Sequence, residues 1–475
     1  MGIVNVVGRE IHMTKVETHF NLLVLGAGPG GYVAALRAAQ KGLRVGVIEA
    51  QALGGTCLNR GCIPTKALVG VAQRYQAVQE AGKLGVKIKE VALDPEGIWT
   101  YQTGITSRLR KGVESLFAKR GIALLSGQGK LQDSRTIAVT GPDGLVQEYT
   151  GDNLLLATGS IPRVFPGWEV DGQVVVTSDE ALNLQEIPES LVVIGGGYIG
   201  CEFAGIFAAL GSQVTILEGM PEILPMVDRE ITKRLKSYLK RQGITIKTGV
   251  QVEKVWVADG QGQVLTNAGG YQAAKVLISV GRVANSSGFG FAEAGIQINE
   301  RGEVVVDDQM RTKVPGVYAV GDVVDRPFKL AHVASKQGEI AVENMNGSNQ
   351  VMDYSAVPSA IFTSPEVAMV GLTEEAAQVQ GIEVVTGVYP FTANGMALAI
   401  DDNRGFVKVV ATPQGKTIGV HILGPHASNL LSEATLAVQL GLPVQEWATV
   451  IRAHPTLPET TAEALGAVFG LPVHA

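Results

Sequence analysis

The sequence predicts an α/β protein with two Rossmann-like units and a separate α+β domain toward its C-terminal end. Three observations carry this reading. A short apolar run enters the glycine turn Gly26-Ala-Gly28-Pro-Gly-Gly31, and an acid, Glu49, follows 18 residues after the last glycine. The same order recurs at Gly195-Gly-Gly197-Tyr-Ile-Gly200, with Glu218 again 18 residues on. Beyond about residue 355 the pattern changes to β-rich segments, Val384 to Tyr389, Gly405 to Ala411 and Ile418 to Leu423, with helices through Gln439.

Length and composition agree. A chain of 475 residues suggests about three domains of roughly 150 residues each. The net charge of −6 comes without a basic cluster, which argues against nucleic acid and against a polybasic membrane arm. Its 59 glycines suit a fold with many tight βα turns. No run of 18 apolar residues appears, and Arg9, Glu10, His12, Lys15, Glu17 and His19 interrupt the start, so neither a spanning helix nor a secretory signal is expected. A reducing, soluble, cytoplasmic setting is the expectation. Residues 1–18 read as an appendage, with Met13 an alternative start. No metal-ligand spacing is present.

Phe20 to Leu25 forms the first strand, the glycine turn opens a helix through Ala39, and Val45 to Glu49 returns as a strand. The glycines permit a tight turn and close approach of the backbone to a pyrophosphate at the helix N-terminus, and Glu49 is placed to accept hydrogen bonds from a ribose. One such fingerprint is weak; strand, turn, helix, strand and acid in order are strong.

Next comes Gly54 to Lys66, which holds Cys57 and Cys62, two of only three cysteines, five positions apart. In a regular helix residues i and i+5 lie about 8.6 Å apart, whereas a disulfide wants roughly 4.4 to 6.8 Å. The segment is therefore not helical throughout. Pro64 suits a first helical turn, so a helix is expected from near Ile63, with Cys62 at its edge and Cys57 on a loop that curls back. A helix N-terminus stabilises a thiolate and makes it a good leaving group. Two unpaired thiols or an inert disulfide are the plainer alternatives, but in a reducing setting a redox pair is favoured.

Thr103 to Arg120 reads as a basic amphipathic helix, Pro142-Asp-Gly144 as a hairpin turn, and Leu154 to Ser160 as an apolar strand. In the second unit, Leu191 to Ile194 leads into the glycines, a helix runs to Leu210, and Val214 to Glu218 closes the repeat. Such duplication means two dinucleotide sites. Glu218, with no Arg or Lys in the next ten residues, repels a 2′-phosphate and selects NAD over NADP. A helix is expected from Glu222 to Gln242, strands from Ile244 to Val257 and at Val276 to Val280, and a strand ending in Gly321-Asp322. His332, His421, His426 and His474 read as structural or surface residues, and Cys201 as a packed thiol.

From about Phe20 to Leu465, and in the same order, these residues resemble the flavoprotein disulfide reductases with two dinucleotide-binding domains, above all their dihydrolipoyl-oxidising branch. The resemblance implies an FAD domain of residues 19–160 with 286–354, an NAD domain of 161–285 and an interface domain of 355–475. It implies FAD contacts at Gly26, Gly28, Gly31, Glu49, Gly55, Thr56, Lys66, Gly129, Thr158, Gly159, Asp322 and Ala331. The NAD contacts it implies are Gly195, Gly196, Gly197, Tyr198, Ile199, Gly200, Glu218, Val250, Gly281 and Arg282. Lys66 and Glu202 match the pair beside the flavin N5, Tyr198 the position where nicotinamide approaches the opposite face, and Ala331 the start of a helix whose dipole stabilises reduced flavin.

His454-Pro-Thr-Leu-Pro-Glu459 resembles the interface motif whose His is the acid/base and whose Glu orients it. In the family this His reaches the disulfide of the other subunit, which implies a homodimer. Pro458 departs from the small polar residue or His often found there. The implied reaction begins as His454 deprotonates a dihydrolipoyl thiol; the thiolate attacks Cys57, Cys62 leaves, and electrons pass through FAD to NAD⁺. The implied partners are lipoyl domains of a 2-oxo acid dehydrogenase E2, the glycine cleavage H-protein, or both. Glu218 disfavours an NADPH-dependent reductase of small disulfides, and the tail from Leu465 has no cysteine pair for mercuric ion. A flavin-bearing scaffold subunit is the rival of another class.

Overall fold

The computed structural model describes residues 17–474, so most of the expected appendage, Met13 included, lies outside the described residues. The first unit opens with β1 (His19–Leu25), α1 (Pro29–Gln40) and β2 (Val45–Glu49). Then follow α2 (Gly55–Arg60), α3 (Cys62–Glu80) and α4 (Pro95–Arg120). The strands β3 (Ala123–Ser126), β4 (Gln128–Leu131), β5 (Thr136–Thr140) and β6 (Val146–Leu156) complete a sheet of order β3-β2-β1-β6-β5-β4. The hairpin falls where Pro142-Asp-Gly144 predicts it, between β5 and β6.

Two local expectations need correction here. Cys57 sits in the short helix α2 rather than on a loop, and the break lies at Gly61, whose φ of −148° and ψ of −112° end one helix and start the next. The helix expected from Thr103 begins at Pro95, because Asp94 accepts from the Gly97 N–H at 3.1 Å and caps it.

The second unit carries β7 (Ser160–Pro162), β8 (Val175–Thr177), α5 (Ser178–Ala181), β9 (Ser190–Ile194), α6 (Tyr198–Ala209) and β10 (Gln213–Glu218). After α7 (Arg229–Arg241) come β11 (Thr245–Thr248), the meander β12 (Val252–Ala258), β13 (Gln261–Thr266) and β14 (Gly269–Ala273), and then β15 (Lys275–Ile278). Its main sheet is parallel, in the order β11-β10-β9-β15-β8. Here α7 starts at Arg229, not Glu222: Pro225 interrupts a helix, and Asp228 caps the real one through the N–H groups of Glu230 and Ile231.

The chain then crosses back. β16 (Arg282–Ala284) pairs antiparallel with β7, and β17 (Val317–Ala319) joins the far side of β6. The first sheet thereby acquires the parallel order β3-β2-β1-β6-β17, matching the second. α8 (Ala331–Met345) packs on α1 so closely that a Cβ at Gly338 would lie 2.5 Å from the Gly30 carbonyl oxygen. That crossing aims the N-terminus of α8 at the ends of β1 and β17.

The last domain holds β18 (Ser359–Ile361), β19 (Glu366–Gly371), α9 (Glu374–Val379), β20 (Val385–Pro390), α10 (Gly395–Ala399), β21 (Phe406–Ala411) and β22 (Thr417–Gly424). It ends in α11 (Ala427–Leu440), α12 (Val444–Ala448) and α13 (Glu459–Ala467). Its antiparallel sheet runs β18-β19-β22-β21-β20, two strands more than the sequence suggests. Lys408 on β21 is buried and pairs with Asp228 and Glu374, each at 2.9 Å, which fastens this domain to the cap of α7. No described helix is long and apolar enough to cross a membrane.

Candidate active site

The two glycine turns are superimposable in their constraints. Gly26 has φ +100° and a Cβ there would meet the Ala157 carbonyl oxygen at 2.4 Å; Gly195 has φ +106° and would meet that of Ser279 at 2.4 Å. At the third glycine a Cβ would lie 1.9 Å from the Gly26 oxygen (Gly31) or 2.0 Å from the Gly195 oxygen (Gly200), so these residues seat each helix on its turn. The middle glycines differ in kind. The nearest atom to a Cβ at Gly28 is 3.9 Å away, and at Gly197 nothing lies within 4 Å. Space left open beside a helix N-terminus is what a pyrophosphate requires. Both acids are used alike: Glu49 accepts from the N–H groups of Ala27 and Gln51, each at 2.9 Å, and Glu218 from those of Gly196 at 2.5 Å and Met220 at 2.7 Å. The residues present thus fit a dinucleotide in each unit.

A cleft of about 480 Å³ runs from the first turn across the ends of β1, β6 and β17. It is lined by Gly26, Gly28, Glu49, Gly55, Thr56, Gly129, Thr158, Gly159, Asp322 and Ala331, and by Cys57, Cys62 and Lys66. From the second unit Tyr198, Ile199, Glu202 and Arg282 reach the same cleft, whereas Gly195, Gly196, Gly197, Gly200, Glu218, Val250 and Gly281 lie outside it. Val250 is joined to the second turn through its own N–H, which donates to the Glu218 carbonyl at 3.0 Å.

Both thiols are free, and they differ in acidity. Cys57 donates to Cys62, which drives the Cys57 pKa far up, and burial adds to the effect. The same hydrogen bond, with the Lys66 charge and the amide at the start of α3, brings Cys62 down to about 7 against the opposing effect of burial. Cys201 on α6 is buried outside this pair, and its desolvation pushes it up to about 12.

Lys66 donates to both oxygens of Glu202, at 3.0 and 2.8 Å, and its Nζ sits 4.4 Å from the centroid of the Phe362 ring. Glu202 is 4 % exposed and also accepts from the Phe362 N–H at 2.9 Å. One carboxylate therefore joins α3, α6 and the last domain beside the thiols. Phe362 carries no sequence signal that would have found it.

A second polar chain was equally hidden. Arg282 donates to Ser160 Oγ at 2.8 Å and to its carbonyl at 2.8 Å, and Ser160 Oγ donates to Asp322 at 2.6 Å. Arg282 thus also ties the two units together. Asp179 lies 3.3 Å from Arg60 and 3.7 Å from Arg282, and burial pushes its carboxyl up despite both guanidiniums. Thr158 donates to the Asn285 carbonyl at 2.6 Å, so its hydroxyl serves the loop.

His454 and Glu459 stand apart from this cleft. His454 Nδ1 lies 2.9 Å from Glu459 Oε1, and the Thr456 N–H donates to Glu459 Oε2 at 2.8 Å. Those bonds, the amide first, hold the Glu459 carboxyl below its usual range. Pro458 occupies the cap position of α13 with φ −55° and ψ −20°, a backbone that proline adopts without strain, and the His–Glu bond is intact beside it. The His454 side chain is 80 % exposed. Ile451, three residues before it, is 96 % exposed.

Among known proteins, the family model described as pyridine nucleotide-disulphide oxidoreductase matches residues 20–338, and that of its dimerisation domain matches residues 357–465. Dihydrolipoyl dehydrogenase of Geobacillus stearothermophilus is 40% identical over 457 residues, covering 95% of this chain and 97% of its own. That of Bacillus subtilis is 40% identical over 479 residues, covering 97% and 100%. Among solved structures, LpdA from Mycobacterium tuberculosis superposes with a TM-score of 0.88 at 28% identity, covering 94% of this chain and 99% of its own. The HOCl-induced flavoprotein disulfide reductase RclA from Escherichia coli gives 0.85 at 28%, with the same coverage of 94% and 99%.

Proposed function

We propose, for a chain that belongs to the pyridine nucleotide-disulphide oxidoreductase family, a dihydrolipoyl dehydrogenase activity carried by Cys57 and Cys62. It uses FAD and NAD, and a dimerisation domain makes the active unit a homodimer. We assign FAD to residues 19–160 with 286–354 and NAD to 161–285, with contacts from the two glycine turns and their acids. The observation that carries the reading is the meeting, in one cleft, of two thiols of opposite acidity, the Lys66–Glu202 pair and an open glycine turn.

His454, reaching across the dimer, accepts the proton of a dihydrolipoyl thiol, and Glu459 fixes its tautomer. The resulting thiolate attacks Cys57 in the Cys57–Cys62 disulfide. Cys62 leaves as a thiolate, which the neighbouring Lys66 charge stabilises. The second lipoyl thiol then attacks the mixed disulfide, forming the lipoyl ring and returning Cys57 with a proton. The higher acidity of Cys62 favours that end state, with the proton on Cys57 and the charge on Cys62. FAD, held by the first glycine turn and Glu49, would supply the two-electron chemistry that links the dithiol to NAD⁺. Tyr198, which lines the cleft, would screen the face where nicotinamide enters. The electron donors are the dihydrolipoyl arms of a 2-oxo acid dehydrogenase E2 or of the glycine cleavage H-protein.

An anaerobic titration with dihydrolipoamide tests this. A long-wavelength band from the Cys62 thiolate beside the flavin is expected, discharged by NAD⁺ and not by NADP⁺. A band raised only by NADPH would move the reading to a small-disulfide reductase.

A further inference from the structure

Between α12 and α13 the stretch Ile451 to Pro455 is turned to solvent, apart from one side chain. Arg452 points inward and is 7 % exposed. Its Nη2 donates to Glu433 Oε1 at 2.6 Å and its Nη1 to the Val450 carbonyl at 3.0 Å. The same Glu433 oxygen accepts from Nε1 of the buried Trp447 at 2.5 Å. One carboxylate of α11 therefore holds both Trp447 of α12 and the side chain of Arg452, two residues before His454. On the other side, Asn394 Nδ2 donates to the Thr456 carbonyl at 3.0 Å, and Thr456 binds Glu459 through its amide. His454 is suspended between two anchors, and Glu459 belongs to only the second.

We infer that Arg452, locked by Glu433, is a positioning residue for His454 in dithiol oxidation. The imidazole has to meet thiols on another subunit from an exposed stretch, and its own bond to Glu459 fixes the ring without fixing where the stretch carries it. A forked guanidinium suits the task because it holds a carboxylate with one arm and a carbonyl with the other, which a lysine ammonium does less well. The inference rests on His454 being the proton acceptor.

The test uses the full-length, FAD-loaded dimer with Arg452→Met, Arg452→Lys, Glu433→Gln and His454→Gln. It compares steady-state oxidation of dihydrolipoamide by NAD⁺ with stopped-flow reduction of the flavin by NADH, which does not need His454. Arg452→Met should lower kcat for dihydrolipoamide roughly 10- to 100-fold, while flavin reduction by NADH stays within about two-fold, the mark of displaced geometry rather than general damage. Arg452→Lys should recover part of that loss, and Glu433→Gln should fall between. Unchanged dithiol oxidation in Arg452→Met, or an equal loss in both half-reactions, overturns the inference. If Arg452→Met fails to fold, Arg452→Lys and Glu433→Gln carry the same comparison. Should His454→Gln itself leave dithiol oxidation intact, it is the reading of His454 that fails; if His454→Gln is slow and the Arg452 variants are normal, only the positioning role is lost.

Discussion

Removing the Cys57 sulfur tests where the proton of the reduced pair sits. In Cys57→Ala the donor to Cys62 is gone, so the Cys62 pKa should climb from about 7 toward its ordinary 9.0. The pH dependence of iodoacetamide alkylation would report it; a midpoint that stays put would mean that Lys66 and the α3 amide suffice. His454→Gln should slow dithiol oxidation by roughly 10² to 10⁴-fold, the span of a general acid/base contribution, as measured by turnover of dihydrolipoamide. At this scale the residues by themselves are informative only where chemistry is local, and it is the family resemblance that pairs Lys66 with Glu202. Cys57, Cys62 and the His454–Glu459 spacing can be seen in a single stretch each. Lys66 and Glu202 are 136 positions apart and become a pair only when α3 and α6 are packed together, and Phe362 meets them from a third place in the chain.

Helix and turn behave as units, and the paired glycines separate folding from binding. In the second unit Gly200→Ala forces a Cβ to within 2.0 Å of a carbonyl oxygen, whereas Gly197→Ala meets nothing within 4 Å. The first should cost about 1–3 kcal/mol of stability by overpacking. The second should leave the melting temperature alone and weaken NAD binding, because its methyl group occupies the space of the pyrophosphate. Calorimetric melting and NADH titration of the two variants check this; equal melting would show that the turn can yield. These turns were legible because a βα crossover with its glycines is contiguous. The starts of α4 and α7 were misplaced because short capping signals, Asp94-Pro95 and Asp228, decide them against a longer helical periodicity. Strand β18, of three residues, is too short to stand out from the loops around it.

For the whole molecule, the exposed stretch that carries both Ile451 and His454 ties activity to assembly. Ile451→Glu should weaken the dimer, seen by sedimentation, and reduce dihydrolipoamide turnover more than flavin reduction by NADH. Equal loss of both would detach the imidazole from the subunit contact. The order of the strands along the chain has a further consequence, for the order in which the protein is made. All five strands of the second parallel sheet lie between Val175 and Ile278, so that sheet can close as soon as its own stretch has left the ribosome. The first sheet waits for β17 at Val317–Ala319, and the α1–α8 crossing waits for Met345. During synthesis the second unit is therefore finished inside an incomplete first unit. Chains arrested near residue 300 should show the second unit resistant to protease and the first one not, with flavin taken up only by chains long enough to include α8.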